Sequence, residues 1–405
     1  MKKFLLFAAS MLIIFLSAQG NTNQSSSKKA THPKYVFLFI GDGMGLSHVS
    51  MAEAYLSTQK GQISNESISF TRFPVIGLVT TYSANSYITC SSAAGTAMST
   101  GTKTNNYMLG VDPKGNKLRS ISYKIHEKGI PVGIASSATI DHATPGAFYA
   151  SSTSRTNYYE IAEQLPKTGF EFFGGGGFVQ PKGEKGDQQN IYELISKAGY
   201  KIIRGQENLK NKTQKDKVVF LQREGKEGDL PYALDRKPGD LSLKEVVAAG
   251  IEHLYGNKGF FMMAEGGKID WAAHSNDGKA DILEVLDFAD AIEVAYQFYL
   301  KHPEETLIIV TADHETGGVS LGREKGYTLS LKELDPQTRS IDSNKSQKEQ
   351  IKELNNKANI GWTTTSHSGT MVPIYSIGAG SQEFSGRMDN TDIPRKITKL
   401  LNVKF

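Results

Sequence analysis

The chain has 405 residues, with 46 Lys+Arg against 42 Asp+Glu, 39% hydrophobic residues and a single cysteine. This is the composition of an ordinary globular protein, and it excludes collagen-like, disordered and disulfide-stapled chains. A net charge of +4 with no basic run gives no reason to expect nucleic-acid-specific binding.

In chain order, Lys2 and Lys3 precede an apolar run over 4–16, followed by small residues at 17–20. That pattern predicts a secretory signal peptide over 1–20. The run is shorter than the ~20 residues that a membrane-spanning helix needs. The sequence therefore predicts an exported protein, periplasmic or secreted, with no membrane span. Loss of Lys2 and Lys3 with the leader takes the charge from +4 to +2. Residues 21–33 are polar and predict a disordered lead-in, leaving 34–405 as the folded domain.

Short apolar runs predict strands at 35–40, 131–135, 259–264, 306–311 and 372–377. Helical periodicity begins near Leu46 and recurs at 121–128, 158–164, 243–254 and 281–300. This alternation predicts an α/β three-layer sandwich, with a large, mostly parallel central sheet and helices on both faces. Two stretches, 174–239 and 323–359, read as insertions. No internal repeat is present.

Acidic residues follow three of the strands directly: Asp42 in Gly41-Asp42-Gly43-Met44-Gly45, Glu265 before Gly266-Gly267, and Asp313-His314 before Glu315-Thr316-Gly317-Gly318. Ligands of open α/β sheets gather beyond the carboxyl ends of strands. Three carboxylates converging there repel one another unless cations lie between them. Asp270 and His274, at i and i+4, share one face of a predicted helix, and His367 lies in a Ser/Thr/Gly-rich loop. Imidazole with carboxylate suits zinc, whereas carboxylate with hydroxyl suits magnesium. His32, His48, His126, His253 and His302 lie in polar or helix-surface contexts and are read as structural. Residues 89–98 are small and lead into a helix, where a hydroxyl meets free N–H groups and positive potential. Gly41-x-Gly43-x-Gly45 departs from the dinucleotide-binding spacing.

Taken together, these motifs resemble the alkaline phosphatases, in the same order and over nearly the whole chain after the leader. The resemblance implies hydrolysis of small phosphate monoesters through a phosphoserine intermediate at Ser91. It assigns the phosphate-binding guanidinium to Arg155, eleven residues after Thr144 in His142-Ala143-Thr144-Pro145. It implies two zinc ions and one magnesium ion: zinc 1 on Asp270, His274 and His367; zinc 2 on Asp42, Asp313 and His314; magnesium on Asp42, Thr144 and Glu265. A homodimer is implied by family habit alone.

Around those ligands the chain departs from the best-studied bacterial members at Cys90, His142 and Trp271, where they carry Asp, Asp and Lys. Cys90 removes the carboxylate that aims the Arg in those enzymes. Cys90-Ser91-Ser92-Ala93-Ala94 does not match the Cys-x-Pro-x-Arg of sulfatases, and a leader disfavours a cytoplasmic phosphoglycerate mutase. The alternatives carried forward are a phosphodiesterase of the same superfamily and a non-catalytic exported metal- or phosphate-binding protein. Ser91 with Glu265 speaks against the first, and Ser91 with Arg155 against the second.

Overall fold

The computed structural model describes residues 32–405 apart from 65, 212, 214 and 215. The predicted leader and most of the lead-in fall outside the described residues. His32 and Pro33 do not: Pro33 is buried and His32 Nδ1 meets the Leu400 carbonyl at 2.8 Å, so the fold begins slightly earlier than the polar lead-in implies.

The near-continuous apolar runs are strands with both faces covered. They are β1 (Tyr35–Gly41), β2 (Val75–Thr80), β3 (Val132–Ser136), β4 (Phe172–Gly175), β5 (Tyr200–Arg204), β6 (Lys217–Leu221), β7 (Phe260–Gly266) and β8 (Thr306–Ala312). The short β9 (Glu315–Thr316), β10 (Val319–Leu321), β11 (Ile360–Trp362) and β12 (His367–Ser368) follow, then β13 (Val372–Gly378) and β14 (Gly386–Asp389). Ten of these form one sheet in the order β14-β2-β13-β8-β1-β7-β3-β4-β6-β5. Only β13 runs antiparallel to its neighbours. Every residue of β1, β7 and β8 is buried, as expected of central strands in a sheet covered by helices.

Local signals explain the helix boundaries. Leu243–Leu254 starts at a capping box between Ser242 and Glu245. Gly278–Lys301 starts where the Asp277 carboxylate accepts from the Ala280 N–H at 3.1 Å. The stretch 174–239, read from sequence as an insertion, supplies β5 and β6 to one end of the main sheet. Its strands are short and bounded by Gly and Lys, which hid them from a hydropathy reading. The stretch 323–359 carries the helix Lys348–Ala358, seated through Leu331, Leu334 and Leu354 on Met51 and Ile282. Among the described residues no helix is long and apolar enough to cross a membrane.

Candidate active site

Strands β8, β1 and β7 are adjacent, and their carboxyl ends carry Asp313, Asp42 and Glu265. All three residues are fully buried. The turn after β1 is possible because Gly43 has φ 74, and a Cβ there would lie 2.9 Å from Asp270 Cα. The freed Gly43 N–H donates to Asp313 Oδ1 at 3.1 Å, which fixes that carboxylate. Asp270 and His274 come from the helix Lys268–His274, and His367 from β12, which pairs with β9 beside His314.

The hydrogen bonds behind the histidines set where their lone pairs point. His274 Nδ1 donates to the Thr365 carbonyl at 2.7 Å, and His367 Nδ1 to the Thr89 carbonyl at 2.8 Å. The Thr316 hydroxyl donates to Asp270 Oδ1 at 2.5 Å and so accepts from His314 Nδ1 at 3.2 Å. With each Nδ1 carrying its proton, each Nε2 presents a lone pair. His274 Nε2 and His367 Nε2 then face each other at 3.2 Å. His314 Nε2 lies 3.3 Å from Asp42 Oδ1, from Asp313 Oδ2 and from Ser91 Oγ.

Acceptors packed against acceptors in a buried site repel. Both oxygens of Asp42, Asp313 Oδ2, Glu265 Oε1 and Thr144 Oγ1 are buried without a hydrogen-bond partner. This donor set fits divalent cations. Three groups of ligand atoms gather within 4.8 Å: Asp270, His314 and His367; Asp42, Asp313 and His314; and Asp42, His142 and Glu265. Sequence reasoning matches the second set in full. In the first, His314 joins Asp270 and His367, with His274 Nε2 also 3.3 Å from Asp270 Oδ2. In the third, His142 itself stands in ligating reach beside the hydroxyl-bearing Thr144.

Protonation without cations tells the same story. Burial, then repulsion from Asp313 and Asp270, pushes Asp42 well above the usual carboxylate range. Burial likewise pushes Asp313 up to about 8 and Glu265 up to about 7. Asp270 is held below the ordinary range: burial opposes, but the His274 bond and the surrounding imidazoles outweigh it. Without a cation His274 takes a proton on Nε2 in its place, rising to about 9 through its bond to Asp270, while burial depresses His314 and His367. Acids driven towards neutrality at strand ends mark a site that needs positive charge.

Ser91 opens the helix Ser91–Thr100, every residue of which is buried. Arg155 Nη1 lies 3.3 Å from Ser91 Oγ, and Nη2 lies 3.3 Å from His142 Nε2. Cys90 is instead tied to the Arg155 main chain through a backbone relay that sequence reasoning missed. The Tyr107 N–H donates to Cys90 Sγ at 3.1 Å, and the Arg155 N–H donates to the Tyr107 carbonyl at 2.7 Å. Tyr107 adopts φ 72, an uncommon conformation for a residue with a side chain. Trp271 packs edge-on against His142 at 5.5 Å. Lys268 Nζ, 4.6 Å from the Trp271 ring centre, pairs with Asp229.

A two-centre cation cradle with a helix-start serine and a guanidinium defines a metal-dependent hydrolase of phosphoryl esters. Residues 33–403 match the family described as alkaline phosphatase, and the chain belongs to that family. It is 32% identical to alkaline phosphatase 4 of Bacillus subtilis (strain 168) over 445 residues, covering 96% of this chain and 94% of that one. The fold is similar to that of a cold-active alkaline phosphatase from a psychrophilic Shewanella sp. (TM-score 0.81, 30% identity, 91% of this chain and 99% of the other). It is also similar to a histidine-to-glutamate variant of the TAB5 alkaline phosphatase, solved with magnesium in its M3 site (TM-score 0.75, 29% identity, 93% and 100% covered). The protein is accordingly a metal-dependent phosphomonoesterase.

Proposed function

We propose that Ser91 is the nucleophile and that the substrate's phosphoryl group docks between Ser91 and Arg155. The observation that carries this reading is the placement of Ser91 Oγ, 3.3 Å from both His314 Nε2 and Arg155 Nη1. Arg155 presents a planar fork to two phosphoryl oxygens; His142 meets one arm of that fork, and the Tyr107 carbonyl fixes the Arg155 main chain from which it extends. Ser91 Oγ attacks phosphorus, and the P–O bond to the alcohol breaks on the opposite side, towards Asp270, His274 and His367. Water then attacks the phosphoserine from that vacated side, releasing phosphate and restoring Ser91.

Two zinc ions, on Asp270–His274–His367 and Asp42–Asp313–His314, and a magnesium ion on Asp42–Thr144–Glu265 fit the donor sets. When bound, they lower the pKa of coordinated hydroxyls and offset charge on the attacking and leaving oxygens. The His142 nitrogen adds one softer donor beside that oxygen set, so His142→Glu should tighten magnesium retention. A glutamate variant of the TAB5 relative carries magnesium in its M3 site, which supports that expectation. Export under the 1–20 leader completes the reading.

Elemental analysis of active protein should return two zinc and one magnesium per chain. Acid-quenched turnover should leave phosphate on Ser91. Fewer than two transition-metal ions in active protein, or phosphate on another residue, overturns the assignment.

A further inference from the structure

Beside His274 and Thr365, on the side towards which the alcohol departs, the surface opens into a cavity of about 500 Å³. Part of its wall comes from 323–359, the stretch that sequence reasoning left without a role. Arg323, Lys348 and Lys352 line it, together with the amides of Asn276 and Asn356 and the Trp362 indole, and no carboxylate does. Two of the three cations have acidic neighbours outside the wall: Arg323 with Glu324 at 3.3 Å, and Lys352 with Glu349 at 3.8 Å. Lys348 pairs with no carboxylate among the described residues. Asp342, next to the lining residue Ile341, stands behind the lining, where it accepts from the Tyr232 and Ser275 hydroxyls and keeps its charge. The lining itself thus presents three cations and no acid, with the neighbouring carboxylates set outside it.

We propose that this cavity receives the alcohol portion of the substrate, and that it selects phosphomonoesters whose alcohol carries a second phosphate. The proposal rests on the leaving-group direction argued above. A neutral alcohol gains little from three cations. A second phosphate gains a contact with Lys348 and screens Lys352 and Arg323 from each other. The cations lie in an exposed wall, so each contributes modestly, and their sum falls with ionic strength.

The test compares initial rates on matched pairs, the monophosphates and bisphosphates of propane-, hexane- and nonanediol, with the metal-loaded enzyme. At one or more lengths the bisphosphate should show a kcat/KM about 5–10-fold higher, beyond the twofold expected from two equivalent phosphates, expressed in KM and fading with added salt. K348Q/K352Q should reduce the ratio to about twofold, and K348R/K352R should keep it. Lys357→Gln removes the same charge from the same helix away from the cavity, and should also keep it. A ratio near two at every length in the parent enzyme overturns the proposal. So does an equal loss in Lys357→Gln, which would assign the preference to overall charge. Failure to hydrolyse either member of any pair would instead count against the phosphomonoesterase site itself.

Discussion

Two buried clusters of imidazole and carboxylate lie within a few residues of each other, and they are built oppositely. In one, His48 Nδ1 meets Asp281 Oδ1 at 2.8 Å, and Nε2 meets the Thr316 carbonyl at 3.0 Å and Glu315 Oε1 at 3.3 Å. Burial opposes charge on His48, but Asp281 and Glu315 outweigh it and push the imidazole up to about 10. Both nitrogens therefore donate, and the cluster supplies its own cation. In the other, His274, His314 and His367 have each committed Nδ1 to a protein acceptor, and their Nε2 lone pairs point at one another or at carboxylates. The residue types are the same. What distinguishes a cation site is the direction of the lone pairs, not the composition of the cluster.

The comparison breaks first at the nucleophile. Ser91→Ala should lower kcat by at least about 10³-fold with its metal content intact, checked by turnover and elemental analysis together. Retained activity would move the nucleophile to another residue, with the adjacent Cys90 thiol the first to test. His48→Leu should act on stability alone: it strands two buried carboxylates, and losing one partner of such a cluster costs about 3–5 kcal/mol. Denaturant melts should show this loss at full metal stoichiometry, and metal release from folded His48→Leu protein would merge the two clusters into one. Arg155→Ala should cost about 1.5–3 kcal/mol in kcat/KM and weaken phosphate inhibition alongside it.

Proton linkage sharpens the contrast further. In metal-free protein the unfolded carboxylates release protons near pH 4, whereas Asp313 and Glu265 hold theirs to about 8 and about 7. The folded state then binds more protons than the unfolded one, so stability falls as pH rises. His274, held up to about 9, contributes stability below pH 6.5 that is also lost on the way up. The melting temperature of chelated protein should therefore drop between pH 6.5 and 8.5, and that of the metal-loaded protein should drop less. A flat chelated profile would remove the electrostatic case for the site. The smallest effect belongs to Cys90→Ala, a few-fold loss through the Tyr107 relay. Cys90→Ser restores an acceptor and should recover most of it, which a purely packing role for the thiol would not require.

The central strands and most ligands were legible because the chemistry sits in short motifs directly after apolar runs, so order along the chain stands in for position in space. Asp42, Glu265 and Asp313 follow that rule. His48 did not, because Ser47 and Ser50 flank it and make a surface position look natural. Its burial is decided by Asp281 and Glu315, more than 200 residues away, and no local pattern encodes that. His253, also read as a helix-surface residue, is 4% exposed for the same kind of reason. The Tyr107 relay was invisible because its working atoms are backbone, placed by a left-handed φ that an Asn-Tyr pair does not announce.

The position of β1 carries a consequence for how the chain reaches this state. Tyr35 pairs with Phe260 on one side and Thr306 on the other, so the first strand made is flanked by two made more than 200 residues later. At ribosomal rates of about 5–20 residues per second, β1 emerges on the order of 10–50 s before β7 exists. Throughout that interval Tyr-Val-Phe-Leu-Phe-Ile is an unpaired apolar edge, the kind of segment that seeds aggregation. No amino-terminal fragment can satisfy it, and Asp42 cannot meet its partners until it is satisfied. Folding is therefore gated by late, long-range closure, and the nascent chain is exposed to aggregation for longer than the stability of the finished sheet would indicate.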